Sequence, residues 1–371
     1  MHVRRPHYRI AVCAFLLCSL GPGTLRSQNS RDSPGNLAEL EKRASKGHVH
    51  EEIELADAYM RGRGVSQDSS KAAYWYEQAA KSGDPGAEHQ IGYLYSAGLG
   101  VSKDPVRAAH WYQLAAASGD ALARVNLGVL YLNGRGVDKD PVRAKELFKQ
   151  AVEQGEGKGA AYLGVLAFNG IGGPADKVAA EKWFELGVKL HDPIAAYELA
   201  LFYLQHDDHP HDPGQIAHLL RRSTEKGYVP AKYALGAFLL NHPALADSQD
   251  EPKGLLEEAS ALGDWRATFQ LGELARGGSA AGGDPRKSLY YYELAALQGG
   301  PHAQDAVQIM SQLVARNLSA QEEAEATQQA KTSFEQHRLS FMFVPSPDGA
   351  VPSLRNISTT GPGDTPPAPK K

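Results

Sequence analysis

Apolar and polar positions along most of this chain repeat on two nested periods, the shorter of which is helical. Over residues 87–97 the apolar positions are Ala87, Ile91, Leu94 and Tyr95, and one unit later Ala123, Leu127, Leu130 and Tyr131 stand at the same spacing. Residues three and four apart share one face of an α-helix. The longer period is 36 residues. Gly83, Gly119, Gly155, Gly227, Gly263 and Gly299 fall on it, with His191 in the remaining slot. Asp68, Asp104, Asp140, Asp176, Asp212 and Asp284 make a second grid with Ser248, and Trp75, Trp111, Leu147, Trp183, Leu219, Leu255 and Tyr291 make a third. Seven copies therefore fill residues 48–299.

Each grid has a structural meaning. A short side-chain oxygen ahead of a helix accepts from its unpaired first-turn amides, worth about 1 kcal/mol. Proline follows at Pro105, Pro141, Pro213 and Pro285, where it loses no helical hydrogen bond. Glycine suits the left-handed residue that ends a helix. These signals bracket a trailing helix in each copy, such as 105–118, preceded by a leading helix, such as 87–97. The turn between them reads Gly62-Arg63-Gly64-Val65, then Gly98-Leu99-Gly100-Val101, then Gly134-Arg135-Gly136-Val137. A small residue recurs inside the leading helix, at Ala56, Gly92, Gly128, Gly164, Ala200, Gly236 and Gly272. Glycine there costs about 1 kcal/mol against alanine, so its recurrence predicts close approach by another helix. Trp75, Trp111 and Trp183, locked to the period, read as core.

Neither helix of such a hairpin buries its apolar stripe alone, so consecutive hairpins stack around a shared core. The expected fold is all-α, a right-handed αα superhelix (solenoid) of about seven 36-residue hairpins with partial capping repeats. Residues 34–47 match a trailing helix alone and form an N-terminal half-repeat cap. Residues 300–338 supply C-terminal capping helices, and residues 339–371, with seven prolines after position 339, read as a disordered tail.

The pattern Leu127, Gly128, Leu130, Tyr131, Gly134, Gly136, Val137, Asp140, Ala144, Gly155 resembles the Sel-1-like repeat, a relative of the tetratricopeptide repeat. The copy ending Trp111, Tyr112, Ala115, Ala116, Gly119 does so too. The resemblance covers residues 36–315, most strongly in the first four copies. It implies a non-enzymatic adaptor or scaffold without naming a ligand. Some secreted bacterial relatives staple each repeat with a disulfide, and this chain departs from them.

Composition narrows the setting. Cys13 and Cys18 are the only cysteines among 371 residues. Residues 1–28 carry Arg4, Arg5, Arg9 and Arg26 and no acid, and without them the net charge of −4 becomes −8. A mildly acidic body gives no basic field for nucleic acid. The run Ile10 to Leu20 spans 11 residues, too short to cross a bilayer needing about 20. Residues 1–28 read as a secretory signal peptide, predicting a secreted or periplasmic protein, or a eukaryotic lumenal one, without a stable membrane span once processed.

Leading-helix positions that vary between copies are the candidate ligand surface, since solenoids bind along their concave side. One row reads Glu54, Gln90, Asn126, Tyr162, Glu198, Ala234, Gln270, and the next reads Asp57, Tyr93, Val129, Val165, Leu201, Ala237, Glu273. From these Glu54, Gln90, Tyr93, Asn126, Val129, Tyr162, Val165, Glu198 and Leu201 are the expected contacts for a protein or extended peptide, with part of the apolar row read equally as inter-repeat core. Copies five and six replace the glycine turn with His206, Asp207, Asp208, His209, His211 and with His242, a weak metal candidate of imidazole and carboxylate. The recurrent Gly-x-Gly follows a helix instead of a strand, which opposes a phosphate-binding loop. No nucleophile and base share a telling spacing, so neither enzyme activity nor a cofactor is expected. The leading expectation is an exported adaptor. The alternatives are an envelope protein engaging peptidoglycan or another polymer, and a metal-dependent enzyme at the histidine-rich edge.

Overall fold

A computed structural model describes residues 34–205, 212–277, 283–299 and 301–343. Seventeen α-helices, one 3-10 turn and no strand occur among them. The chain divides into two compact units, one of residues 16–199 and the other built on residues 200–371. The first holds α1 (Pro34–Ala44), α2 (Val49–Arg61), α3 (Ser69–Lys81), α4 (Pro85–Ala97), α5 (Pro105–Ala117), α6 (Ala121–Asn133), α7 (Pro141–Glu153), α8 (Gly157–Asn169) and α9 (Lys177–Lys189). α10 (Pro193–Gln205) begins in it. The second holds α11 (Pro213–Glu225), α12 (Val229–Asn241), α13 (Glu251–Ala261), α14 (Trp265–Arg276), α15 (Pro285–Gly299), α16 (Pro301–Ala315) and α17 (Ala320–Phe343). The fold is the expected α-solenoid of helical hairpins.

Caps set the helix starts. Asp104 accepts from the amides of Val106 and Arg107, Asp140 from Arg143, and Asp176 from Ala179. A second set of aspartates, just after the grid slot, caps four leading helices, with Asp84 accepting from Ala87, Asp120 from Ala123, Asp192 from Ala195 and Asp264 from Arg266, while Tyr228 makes no side-chain cap. The glycine slot is left-handed at Gly83, Gly119, Gly155, Gly227 and Gly263 and also where it is His191, with φ of 61°.

In the first unit a continuous apolar cluster runs from Ala44 on α1 through Leu55, Ile91, Tyr112 and Leu127 to Leu147 on α7. Its largest rings are not the tryptophans. Trp75 and Trp111 pack against its edge, and Trp183 is also only partly buried. The buried side chains stand one residue later, at Tyr76, Tyr112, Phe148 and Phe184 in this unit and at Leu220, Leu256 and Tyr292 in the other. Each leading-helix glycine faces one of them. A Cβ on Gly92 would lie 2.9 Å from the Tyr112 ring, on Gly128 2.6 Å from Phe148, and on Gly272 2.7 Å from Tyr292.

Repeat six departs from the grid. α13 starts at Glu251, with Asp250 before it making no side-chain cap, instead of just after Ser248. Pro252 decides this, because a start at 249 would place it in the helix interior, where it has no amide to give. In place of the glycine turn, Arg221 on α11 donates to the Leu245 carbonyl at 2.8 Å and to both Glu251 oxygens at 3.0 and 3.1 Å. At the C-terminus α17 continues to Phe343, five residues past the expected boundary, since Pro345 is the first breaker. Among the described residues no helix is long and apolar enough to cross a membrane.

Candidate functional site: the variable face of the leading helices

The candidate contacts divide by burial. Glu54 on α2, Gln90 and Tyr93 on α4, and Leu201 on α10 are partly exposed. Asn126, Val129, Tyr162, Val165 and Glu198 are buried, so their side chains offer a ligand almost no surface. α8 is buried from Gly159 to Leu166, and Tyr162 stacks on Phe148 with centroids 4.8 Å apart and planes 9° from parallel.

Variation along the second row has a packing cause. Position 57 of α2 lies 19 residues before the buried Tyr76, and the same offset links every copy. Where the buried side chain carries a hydroxyl (Tyr76, Tyr112, Tyr292), the row is polar (Asp57, Tyr93, Glu273). Where it is Phe148, Phe184, Leu220 or Leu256, the row is Val129, Val165, Leu201 or Ala237. Tyr76 donates to Asp57 and Tyr292 donates to Glu273, whereas the buried Tyr112 hydroxyl makes no such bond to Tyr93 among the described residues. A buried hydroxyl needs an acceptor and a buried methyl does not. Tyr76→Phe and Asp57→Val are each expected to destabilise, and the double variant to recover about 1 kcal/mol of the summed loss. Urea unfolding of all four chains checks this, and strict additivity would contradict it.

Asn126 is committed elsewhere. Its Nδ2 donates to His89 Nε2 at 3.1 Å, and the other ring nitrogen, Nδ1, lies 3.3 Å from the Asp120 carboxylate. An imidazole accepting at Nε2 carries its proton at Nδ1 and donates it to Asp120. Burial pushes the Asp120 carboxyl up, but the His89 bond and the Ala123 amide outweigh it and leave it below the usual carboxylate range. The group resembles an acid–histidine pair, yet Nε2 is capped by an amide and faces no nucleophile. It ties α4 to α6.

Two carboxyl groups at α10 are buried. Glu198 has no partner for either oxygen, and burial pushes it well above the usual range. Asp192 is pushed by burial up to about 6, against the Ala195 amide and the charge of Lys158. Between about pH 4 and 6 the folded chain thus holds a proton at Asp192 that the unfolded chain has lost. Stability from this group is greatest below that window and falls as pH rises through it, by about 2–3 kcal/mol. Asp192→Asn keeps the cap and is expected to be less pH-sensitive between pH 4 and 6.5. Equal slopes for both chains in urea melts would contradict this.

His242 is used in packing. Its Nδ1 lies 3.0 Å from the Phe238 carbonyl, and its ring stacks on Phe238 at 4.2 Å. His206, His209 and His211 lie outside the described residues. Among the described residues no three histidine, cysteine or acidic side chains gather as a metal site would require.

The turns bring their second glycine against the preceding repeat. Gly100, Gly136 and Gly172 have φ of 70–72°. A Cβ on Gly136 would fall 2.6 Å from the Val106 amide nitrogen and closer still to the Pro105 carbonyl, at the start of α5. Gly100 sits equally tightly on Ser69 and Ser70 of α3. The turn is a spacer between layers, filled by backbone.

A family model described as Sel1 repeat matches residues 52–84, 85–120, 121–156, 157–192, 193–228 and 265–300. The hairpin of α12 and α13 falls between the last two matches. No curated protein matches the chain. Among solved structures, a Sel1 repeat protein from Oxalobacter formigenes is similar at 26% identity and a TM-score of 0.53, over 61% of this chain and 92% of that one. The protective antigen c5321 of uropathogenic Escherichia coli, which displays an SLR fold, is similar at 22% identity and a TM-score of 0.43, over 92% of this chain and 77% of that one. The immunity protein Pa5087 from Pseudomonas aeruginosa is similar at 18% identity and 0.38, over 77% and 89%. With the repeat model matching more than half of its length, this chain belongs to the Sel1 repeat family, a scaffold fold suited to protein–protein interaction.

Proposed function

We propose that this protein is an exported scaffold that binds another protein, or an extended segment of one, on the open part of its leading-helix face, with no catalysis of its own. The observation that carries this reading is the partial exposure of Glu54, Gln90 and Tyr93 on α2 and α4, beside a continuous core that holds those helices rigid. The carboxylate and amide can pair with a peptide backbone, and a tyrosine ring offers an apolar body with a polar tip. Stacked helices present such groups at intervals of about 10 Å, a spacing that suits an extended ligand. Residues 1–28, basic and then apolar, support export to the periplasm or the exterior.

Affinity capture with the full chain tests the proposal. A partner enriched by the wild type is expected to fall at least tenfold with the Gln90→Ala/Tyr93→Ala variant, at unchanged helicity. An identical partner set on both chains would refute binding at this face.

A further inference from the structure

α15, α16 and α17 surround a cleft of about 450 Å³, within the size range of small-ligand sites. Its floor is apolar, formed by Leu289 on α15 and by Val307 and Ala315 on α16. Set into that wall is Ser311, only 9% exposed, whose Oγ has no hydrogen-bond partner among the described residues. An unmade bond of this kind costs about 1–3 kcal/mol until something enters to make it. Glu293 on α15 and Glu323 on α17 also line the cleft, and among the described residues no lysine, arginine or histidine does. Arg286 on α15 pairs with Glu325 at 2.7 Å, outside this lining.

An apolar floor, an orphan buried hydroxyl and two carboxylates without a lining cation define a complementary ligand. We propose that the cleft binds a cationic head on an aliphatic stem, an ammonium or guanidinium group such as a lysine or arginine side chain of a partner protein or a free alkyl diamine. The stem lies on Leu289 and Val307, burying its methylenes at about 0.8 kcal/mol each. The head sits between Glu293 and Glu323, and one of its N–H groups donates to Ser311 Oγ. This cleft is formed by the C-terminal helices and does not depend on the leading-helix surface.

Calorimetric titration of the full chain tests this with two cationic probes, 1,5-diaminopentane and an acetyl-Gly-Lys-Gly-amide peptide, and one neutral control, the same peptide acetylated on its lysine. Saturable binding of at least one cationic probe is expected, weakened about fivefold by Glu293→Gln or Glu323→Gln and about tenfold or more for the neutral control. Ser311→Ala is expected to weaken it about threefold. Tighter binding of the peptide assigns the site to a partner's side chain, and tighter binding of the diamine to a free small molecule. The proposal fails if neither cation saturates, if the Glu293→Gln/Glu323→Gln chain binds as the wild type does, or if the neutral peptide binds equally well. Both carboxylates reach solvent, so these variants should keep the wild-type circular dichroism, which is recorded alongside.

Discussion

Gly136→Ala is expected to cost about 4 kcal/mol or more of stability, a large share of what a domain has to lose. Two effects add. At φ of 70° an L side chain is strained by about 1–2 kcal/mol. The new methyl would also meet the Pro105 carbonyl and the Val106 amide, backbone atoms that have no rotamer in which to move aside. Relief requires lifting the turn between α6 and α7 off α5, which opens the contact between two layers. Gly172→Ala is the matched control. It has the same sign of φ, at 72°, but its nearest neighbour, the Pro141 carbonyl, is 3.5 Å away. Only the backbone strain should then appear, about 1–2 kcal/mol. Comparable urea midpoints for the two variants would contradict the layer-seating role of the second glycine.

Gly128→Ala is expected to destabilise by about 2–3 kcal/mol despite alanine's better helix propensity. Its Cβ would sit 2.6 Å from Phe148 Cε1 and 3.0 Å from Cζ. The ring cannot swing away, since it is fully buried and stacked against Tyr162. Phe148→Leu should cost stability alone through the space it leaves, yet part of that space is where the methyl goes. The double variant should therefore be at least 1 kcal/mol more stable than the summed single losses imply. Additive losses would mean that glycine and ring are not facing partners.

The periodicity made the helices, their order and their turns legible, because each rests on a local rule: a capping oxygen, a fixed proline φ, a left-handed glycine. Other features depend on which side of a helix meets which neighbour. Trp75 and Tyr76 are adjacent, about 100° apart around the helix, and a repeat grid holds both equally well. The signal that separates them is the leading-helix glycine, which needs a ring opposite it. The acids after the glycine slot, Asp84, Asp120 and, behind His191, Asp192, carry a capping signal as clear as that of Asp104 and Asp140. The row from Asp57 to Glu273 varies, and variation alone does not separate an exposed position from a matched pair in the core. Its chemistry instead follows the presence or absence of a hydroxyl 19 residues later, so variability in a repeat protein also arises where two core positions must match. Asn126, chosen as a ligand contact, holds His89, a partner 37 residues away that no local rule connects to it.

The division of the leading-helix face into open and closed parts is measured most directly by thiol accessibility. In a chain with Cys13 and Cys18 replaced by serine, single cysteines at Gln90, Tyr93, Val129 and Val165 are exposed to a maleimide under native conditions. Fast labelling at positions 90 and 93, with labelling slower by about a hundredfold or more at 129 and 165, is the predicted result, because a buried thiol reacts only through local opening. Uniform rates along the row would contradict it.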